Sequence, residues 1–323
     1  MTQKKLRLGI MGLGKIATKS MIPALKNNSK VELVALASRS LEKAECAAQS
    51  CGARLFFGSY EALLASDEIE AVYIALPNHL HCEWSVKAAQ SGKHILCEKP
   101  LATSVKEAEE MIEAARVNNV YILEAFMYRM HPQHRVVKEM IASGAIGEVQ
   151  HFNASFCYSL SDLNNIRLKK ECAGGALMDV GCYLLDSACW LLESKIKKSQ
   201  VLFVIGKKSA VDERCVIQIE MENGVSGSLL SSTGMPREHA YKIIGSEGSI
   251  SVPTAYIPPA NKRVHVLVKN DEGEKIIKID GVNQYAEQCE AFADLIYVNK
   301  EAALENGLEN CKNIEKIKDS YEQ

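Results

Sequence analysis

Two places in the 323-residue chain carry residues whose types and spacing can do chemistry. The first is Gly9-Ile10-Met11-Gly12-Leu13-Gly14-Lys15-Ile16-Ala17, where Gly12, Gly14 and Ala17 make G-x-G-x-x-A at the end of the apolar run Leu6–Met11. Glycine at 12 permits a tight turn, glycine at 14 lets the backbone approach a pyrophosphate, and a small residue at 17 lets a helix pack close to a sheet. The free N–H groups and partial positive charge of that helix start would face the phosphates. The motif is weak alone; between a strand and a helix it points to a dinucleotide. The run Val31–Ala37 then leads into Ser38-Arg39-Ser40, with no acid where an NAD site places one for the ribose 2′-hydroxyl. A 2′-phosphate suits the Arg39 guanidinium and the Ser38 hydroxyl, so NADP is expected over NAD; the alternative is a solvated loop charge. The second place is Gly174-Gly175-Ala176-Leu177-Met178-Asp179-Val180-Gly181-Cys182-Tyr183. Asp179 and Tyr183 stand four apart, which on a helix puts both on one face.

The elements that must position these groups are legible as two regimes. Up to residue 125, the short apolar runs Leu6–Met11, Val31–Ala37, Ala71–Leu76, His94–Cys97 and Val120–Leu123 alternate with segments of helical period. Such runs joined by helices indicate a parallel sheet covered on both faces, a doubly wound α/β domain. Pro23 is expected to break or kink the first helix. Beyond the junction, near Glu124–Tyr128, a helix is predicted over His131–Ser143, a strand near Val149–Cys157, and a long apolar helix from the glycine pair to Leu192. Extended runs follow at Val201–Gly206, Cys215–Met221, Val225–Ser231, Tyr241–Gly245, Ser249–Val252, Val264–Val268 and Lys275–Ile279, separated by turn signals. They read as a mainly antiparallel open sheet in an α+β domain. The expected domains are 1–125, binding the dinucleotide, and 126–323, binding substrate, with the last helix able to pack back on the first.

Composition narrows the class. Apolar residues make up 47% and charged residues 24%, as in a soluble globular protein, and the net charge of −2 is spread along the chain. That leaves no concentrated basic field for nucleic acid or an anionic membrane. The 11 cysteines are scattered without a C-x-x-C pair, the N-terminus does not read as a signal peptide, and no apolar run is expected to reach membrane-spanning length. A reducing cytoplasm with free thiols is expected. His79, His81 and Cys82 lie close together, but no second cluster has zinc-like spacing, so no metal is expected.

Further motifs turn this general reading into a specific resemblance. They are Pro77-Asn78 with His81, Glu98-Lys99-Pro100, Tyr128-Arg129-Met130-His131-Pro132, the 174–183 segment, and Gly245-Ser246-Glu247-Gly248. In this order the chain resembles, over essentially its whole length, the family of glucose-fructose oxidoreductase, inositol dehydrogenase and the rhizopine-catabolism protein (Gfo/Idh/MocA). The resemblance implies an N-terminal Rossmann domain and a C-terminal open sheet that often serves as an oligomer interface, hence a homodimer or homotetramer. It implies hydride transfer at nicotinamide C4, with the substrate held between the domains. It assigns Lys99, Asp179 and Tyr183 to catalysis, and Lys15, Ile16, Leu76, Pro77, Asn78, His81, Glu98 and Lys99 to the cofactor site beside Gly12, Gly14, Ser38 and Arg39. Arg129 and Arg167 are expected either to meet the cofactor or a substrate phosphate or to form surface ion pairs. Many members carry histidine at position 183; tyrosine here resembles the branch of dihydrodiol dehydrogenases, NADP-dependent xylose dehydrogenases and nucleotide-sugar 3-ketoreductases. The stretches Phe126–Arg135 and Ile257-Pro258-Pro259 look closest to the last of these. One departure is Ala173, where the family often has a first glycine.

These residue types suit carbonyl chemistry. An alkoxide forming as hydride arrives needs a proton, and tyrosine, with a free pKa of about 10, gives one near neutrality only when tuned. The Lys99 ammonium is the candidate for that tuning, with Asp179 orienting the substrate hydroxyl or holding Lys99 charged. The expected substrate is a sugar, either a nucleotide-linked ketosugar or a free aldose. Binding the nucleotide would call on groups such as Arg237, Tyr256 or Lys262. The alternative is a non-catalytic NAD(P)-sensing regulator, which would not need the lysine and its proton-transfer partner.

Overall fold

The computed structural model describes residues 4–298 and 305–322. They form two compact units, the first within Met1–Met127 and Tyr285–Cys311, the second within Tyr128–Gln284 and Lys312–Gln323. The sequence places the junction at residues 125 and 126; the chain crosses at 127 and 128 and then returns to the first unit at Tyr285.

The first unit is built on six parallel strands, β1 (Leu6–Met11), β2 (Val31–Ala37), β3 (Leu55–Phe57), β4 (Ala71–Ile74), β5 (His94–Cys97) and β6 (Ile122–Glu124). Their order is β3-β2-β1-β4-β5-β6. Successive side chains leave a strand on opposite faces. Ile10, Tyr73 and Leu96 accordingly join a core with Phe292 and Ala293, whereas Met11, Val72, Ile74 and Ile95 join one with Trp84 and Met111. Two apolar faces need two helical layers, which is why these strands read as mostly apolar runs rather than alternating ones. Ser40, Ser59 and Ser104 start three of the covering helices by accepting hydrogen bonds from the backbone N–H groups of Lys43, Ala62 and Glu107. Pro23 does not break the first helix: a π-helix at Ala17–Met21 runs directly into the short α-helix Ile22–Leu25, where Pro23 sits in the first turn. β3 escaped the sequence reading because it is a three-residue, half-exposed edge strand. Phe292, 1% exposed, docks the helix Gln284–Tyr297 on this sheet.

The second unit carries eight strands, β7 (Val149–Ser159), β8 (Ile196–Ile205), β9 (Asp212–Met221), β10 (Ser226–Ser232), β11 (Gly234–Gly245), β12 (Gly248–Val252), β13 (Val264–Asn270) and β14 (Gly273–Ile279). Their order is β14-β13-β12-β11-β7-β10-β9-β8, and every pairing is antiparallel except β7 with β10. β8 and β11 begin earlier than predicted, because Lys197, Lys198, Arg237 and Glu238 sit on their exposed ends and mask the alternation. One sheet face is covered by the helical segment Leu177–Gly181 and Cys182–Leu192. The expectation that no segment reaches spanning length is corrected here: Lys170–Leu192 passes on length and apolarity, and 89% of its most apolar window is buried inside the protein. A core helix flanked on several sides by sheet and aromatic residues needs that composition.

Candidate active site

In the first unit the crevice lies where the strand order reverses, between β1 and β4, at the carboxyl ends of the strands. Gly12 has φ +94°, and a Cβ there would stand 2.7 Å from the Ala75 carbonyl oxygen, so only glycine lets β1 turn against β4. At Gly14, a Cβ would find nothing closer than that same oxygen at 4.0 Å, which leaves open space above the loop. Gly14 and Lys15 are exposed, Ile16 is half-buried and Ala17 is buried. Ser38 is buried, its hydroxyl oxygen accepting from Ser40 N–H at 3.3 Å, and this turn presents the exposed Arg39. Leu76 is buried, with Pro77 and Asn78 half-exposed after it.

The Glu98-Lys99-Pro100 segment is braced from several sides. The Glu98 carboxylate accepts from the Tyr73 hydroxyl and from Lys99 N–H at 3.3 Å, and Leu101 N–H donates to Glu124 at 2.8 Å. Burial and the Glu98 charge push the Tyr73 hydroxyl far above its ordinary pKa, so it remains a donor. His81 is fully buried, with Nδ1 2.9 Å from the Pro100 carbonyl oxygen and Nε2 3.0 Å from that of Leu76. It therefore ties the Leu76-Pro77-Asn78 loop to the segment carrying Lys99. Burial lowers its pKa, with the Lys99 charge adding to the effect. Glu98 and His81 thus brace the segment that carries Lys99. Among the described residues no group of three or more His, Cys, Asp and Glu side chains is placed to hold a metal.

The second unit presents Asp179 and Tyr183 on the covering helix, and its first turn corrects the sequence reading. Leu177–Gly181 is a π-helix, with the Cys182 N–H donating to Leu177, so the four-residue spacing spans a π-to-α junction. Such bulges concentrate at functional sites. Asp179, 8% exposed, accepts from the Tyr158 hydroxyl and pairs with Arg167 Nε at 2.9 Å. Burial and the Asp179 charge raise the Tyr158 pKa well beyond its ordinary value, which keeps that hydroxyl a donor. Tyr158 was missed by sequence reasoning; its signal is the inward alternation Phe152, Ala154, Phe156, Tyr158 along β7. Tyr183 is buried among aromatic rings, with Phe156, Tyr256 and Tyr128 at centroid distances of 5.3, 5.7 and 5.8 Å.

Both arginines form ion pairs, one of the two roles expected of them. Arg167 pairs with Asp179, and Arg129 forks Asp186, with Nε 3.0 Å from Oδ2 and Nη2 on Oδ1. Tyr128 donates to the same carboxylate. Tyr256 is fully buried, its hydroxyl 2.9 Å from that of Ser187, so it is core and not a nucleotide contact. Arg237 and Lys262 are exposed. His131 caps the helix Pro132–Ala142, and His134 Nδ1 lies 2.9 Å from the Tyr241 hydroxyl. Ala173 stands in the left-handed region at φ +53°, where the family's glycine would sit without strain.

Residues 6–126 match the model of an oxidoreductase family with an NAD-binding Rossmann fold (GFO_IDH_MocA), and residues 134–251 match the GFO/IDH/MocA C-terminal domain. The chain is 33% identical over 300 residues to a dTDP-3,4-didehydro-2,6-dideoxy-alpha-D-glucose 3-reductase of Streptomyces violaceoruber, covering 91% of this chain and 86% of that protein. It is also 33% identical over 286 residues to D-xylose 1-dehydrogenase (NADP(+)) 2 of Haloferax volcanii, covering 88% and 87%. A crystal structure of a 3-ketoreductase from Actinomadura kijaniata in complex with NADP and TDP-benzene superposes with a TM-score of 0.92 at 28% identity, over 98% of each chain. By its sequence motifs, its two folds and these matches, the chain belongs to the Gfo/Idh/MocA family of oxidoreductases.

Proposed function

We propose that this protein is an NADP(H)-dependent oxidoreductase that reduces the keto group of a nucleotide-linked sugar. The observation that carries the reading is the preparation of Asp179 and Tyr183 on one bulged helix. Asp179 is held by Tyr158 and Arg167, and Tyr183 lies four residues on in an aromatic wall. A carboxylate engaged by two donors is a fixed acceptor that orients a substrate hydroxyl. A tyrosine in a low-dielectric wall is well placed to answer a developing alkoxide. NADPH supplies the hydride. Gly12, Gly14, Lys15 and Ile16 would take its pyrophosphate, Ser38 and Arg39 its 2′-phosphate, and Leu76, Pro77, Asn78 and Lys99 its nicotinamide end. The family resemblance assigns Lys99 to catalysis as well, an ammonium able to favour the charged form of an acid beside it. The choice of a nucleotide-linked ketosugar is supported by similarity to the Streptomyces reductase and to the structure holding TDP-benzene.

The test is loss of reduced-nicotinamide absorbance when purified protein meets NADPH and a TDP-linked 3-ketosugar, beside NADP⁺ with free aldoses. Turnover with the ketosugar supports the reading. Turnover only with an aldose moves the activity to free-sugar oxidation, and NADPH binding without turnover of either favours a sensor. The outer face of the second sheet supports self-association into a dimer or tetramer. Across it Leu202, Val216 and Leu230 align in register, as do Lys242, Ser251, Leu267 and Ile276, with Leu202 and Ile276 each about 60% exposed. The eleven free cysteines are in keeping with a reducing cytoplasm.

A further inference from the structure

We propose that Asp212, the first residue of β9, is a positioning residue for this reaction, its carboxylate fixing the start of the helix that carries Asp179 and Tyr183. The inference rests on the carbonyl-reduction reading above. Asp212 Oδ2 accepts the Leu177 N–H at 2.7 Å, in the first turn of that helix. Its other oxygen, Oδ1, lies 2.0 Å from where a Cβ on Gly175 would stand, and Gly175 has φ +117°. Gly175 is therefore needed twice: for a backbone conformation that L side chains rarely adopt, and for the space the carboxylate occupies.

Gly174 performs the same service on the opposite side. A Cβ there would stand 2.4 Å from the Arg167 carbonyl oxygen, and Gly175 N–H donates to that oxygen at 2.8 Å. The glycine pair thus lets the helix start be gripped between the sheet, through Asp212, and the 167–169 turn. Arg167 lies in that turn, and its side chain holds Asp179. One rigid arrangement then sets the height and rotation of the π-turn bearing Asp179 and of Tyr183 after it. A shift of an ångström at reacting groups is enough to cost rate heavily.

The chemistry of Asp212 argues for use beyond stability. Burial pushes its pKa up to about 6, although the Leu177 and Ala176 N–H groups and the Lys318 ammonium draw it down. Lys318 faces it from the helix Glu305–Glu322, and Cys215 on β9 itself is the other titratable neighbour, its thiol kept protonated by burial. A carboxyl whose folded pKa lies above its unfolded value is stabilised by protonation. Its charged form therefore lowers stability at neutral pH, and that penalty is relieved as pH falls through about 6.

The experiment is Asp212→Asn in the full chain, compared with wild type for NADPH-dependent ketosugar reduction and for thermal unfolding. The expected variant has kcat lowered about ten- to a hundredfold, an unchanged KM for NADPH, and a midpoint at neutral pH equal to or above wild type. Wild-type kcat is expected to fall as pH drops through about 6, and the variant to lack that limb. A variant with wild-type kcat and the same acid limb overturns the inference. So does a kcat loss matched by a falling midpoint, which is the behaviour of a structural cap. If wild type itself binds NADPH and reduces no sugar carbonyl, the parent reading fails and takes this one with it.

Discussion

Replacing Asp186 with asparagine should destabilise the second unit and leave cofactor binding unchanged. The Asp186 side chain is 3% exposed and that of Arg129 is 14% exposed, and the guanidinium meets the carboxylate through two nitrogens. The Arg129 guanidinium also lies 5.3 Å from the centre of the Trp190 ring. Removing one charge of a buried, forked pair costs about 3–5 kcal/mol. Asparagine retains an acceptor, so the lower end, about 3 kcal/mol, is expected. For a unit of this size each kcal/mol moves the melting midpoint by roughly 2–4 °C, giving a fall of roughly 6–12 °C. Arg129→Met should cost a similar amount. The double variant Arg129→Met with Asp186→Leu should recover most of the loss, because an apolar pair needs no compensation there. Thermal and urea unfolding measure the stability, and NADPH fluorescence titration measures the cofactor. Unaltered stability in Arg129→Met, with NADPH affinity weakened about tenfold or more, would show that Arg129 serves the cofactor and that the pairing described here is wrong.

Two further substitutions separate the roles of neighbouring groups. Tyr158→Phe removes one charge-assisted hydrogen bond to Asp179, worth about 1.5–3 kcal/mol, so kcat should fall roughly 10- to 100-fold. KM for NADPH should stay constant, and steady-state kinetics with each substrate varied will show whether it does. Arg39→Ala should weaken NADPH binding roughly 10- to 100-fold by loss of charge-assisted bonds to the 2′-phosphate, and leave NADH binding unchanged. Equal loss for both nucleotides would reduce Arg39 to a loop charge.

How much of this was legible in the sequence follows from what kind of signal each feature leaves. The glycine loop was legible because steric demands at Gly12 and the packing of Ala17 admit few residue types, and the structure places Gly12 against Ala75 for that reason. The strands β1, β2, β4 and β5 were legible because burial on both faces confines polar residues to their first one or two positions, at Arg7, Glu32 and His94. β3 was not, since three half-exposed residues at a sheet edge carry no period. In the second unit, the early halves of β8 and β11 were hidden by the charges on their exposed faces. The helix bearing Asp179 and Tyr183 was legible as a helix but not as a π-bulge, because hydrogen-bond register has no residue signature of its own. The partners of Asp179, Arg129 and His81 were not legible for a different reason. A pairing such as Tyr158 with Asp179 joins a strand to a helix 21 residues away, and nothing local specifies it. Likewise the pairing of Arg129 with Asp186, and of His81 with the Leu76 and Pro100 carbonyls, crosses elements that no local pattern links.

The most direct measurement of the central claim is isotopic. The protein is given NADPH deuterated at nicotinamide C4 and a TDP-linked 3-ketosugar, and the product is read by mass and proton NMR, with Tyr183→Phe in parallel. The expected result is a single deuterium on the new carbinol carbon, delivered from one face of the nicotinamide, with the rate in Tyr183→Phe lower by roughly 10²–10⁴. Product without deuterium, or deuterium transfer at an undiminished rate in Tyr183→Phe, would contradict it.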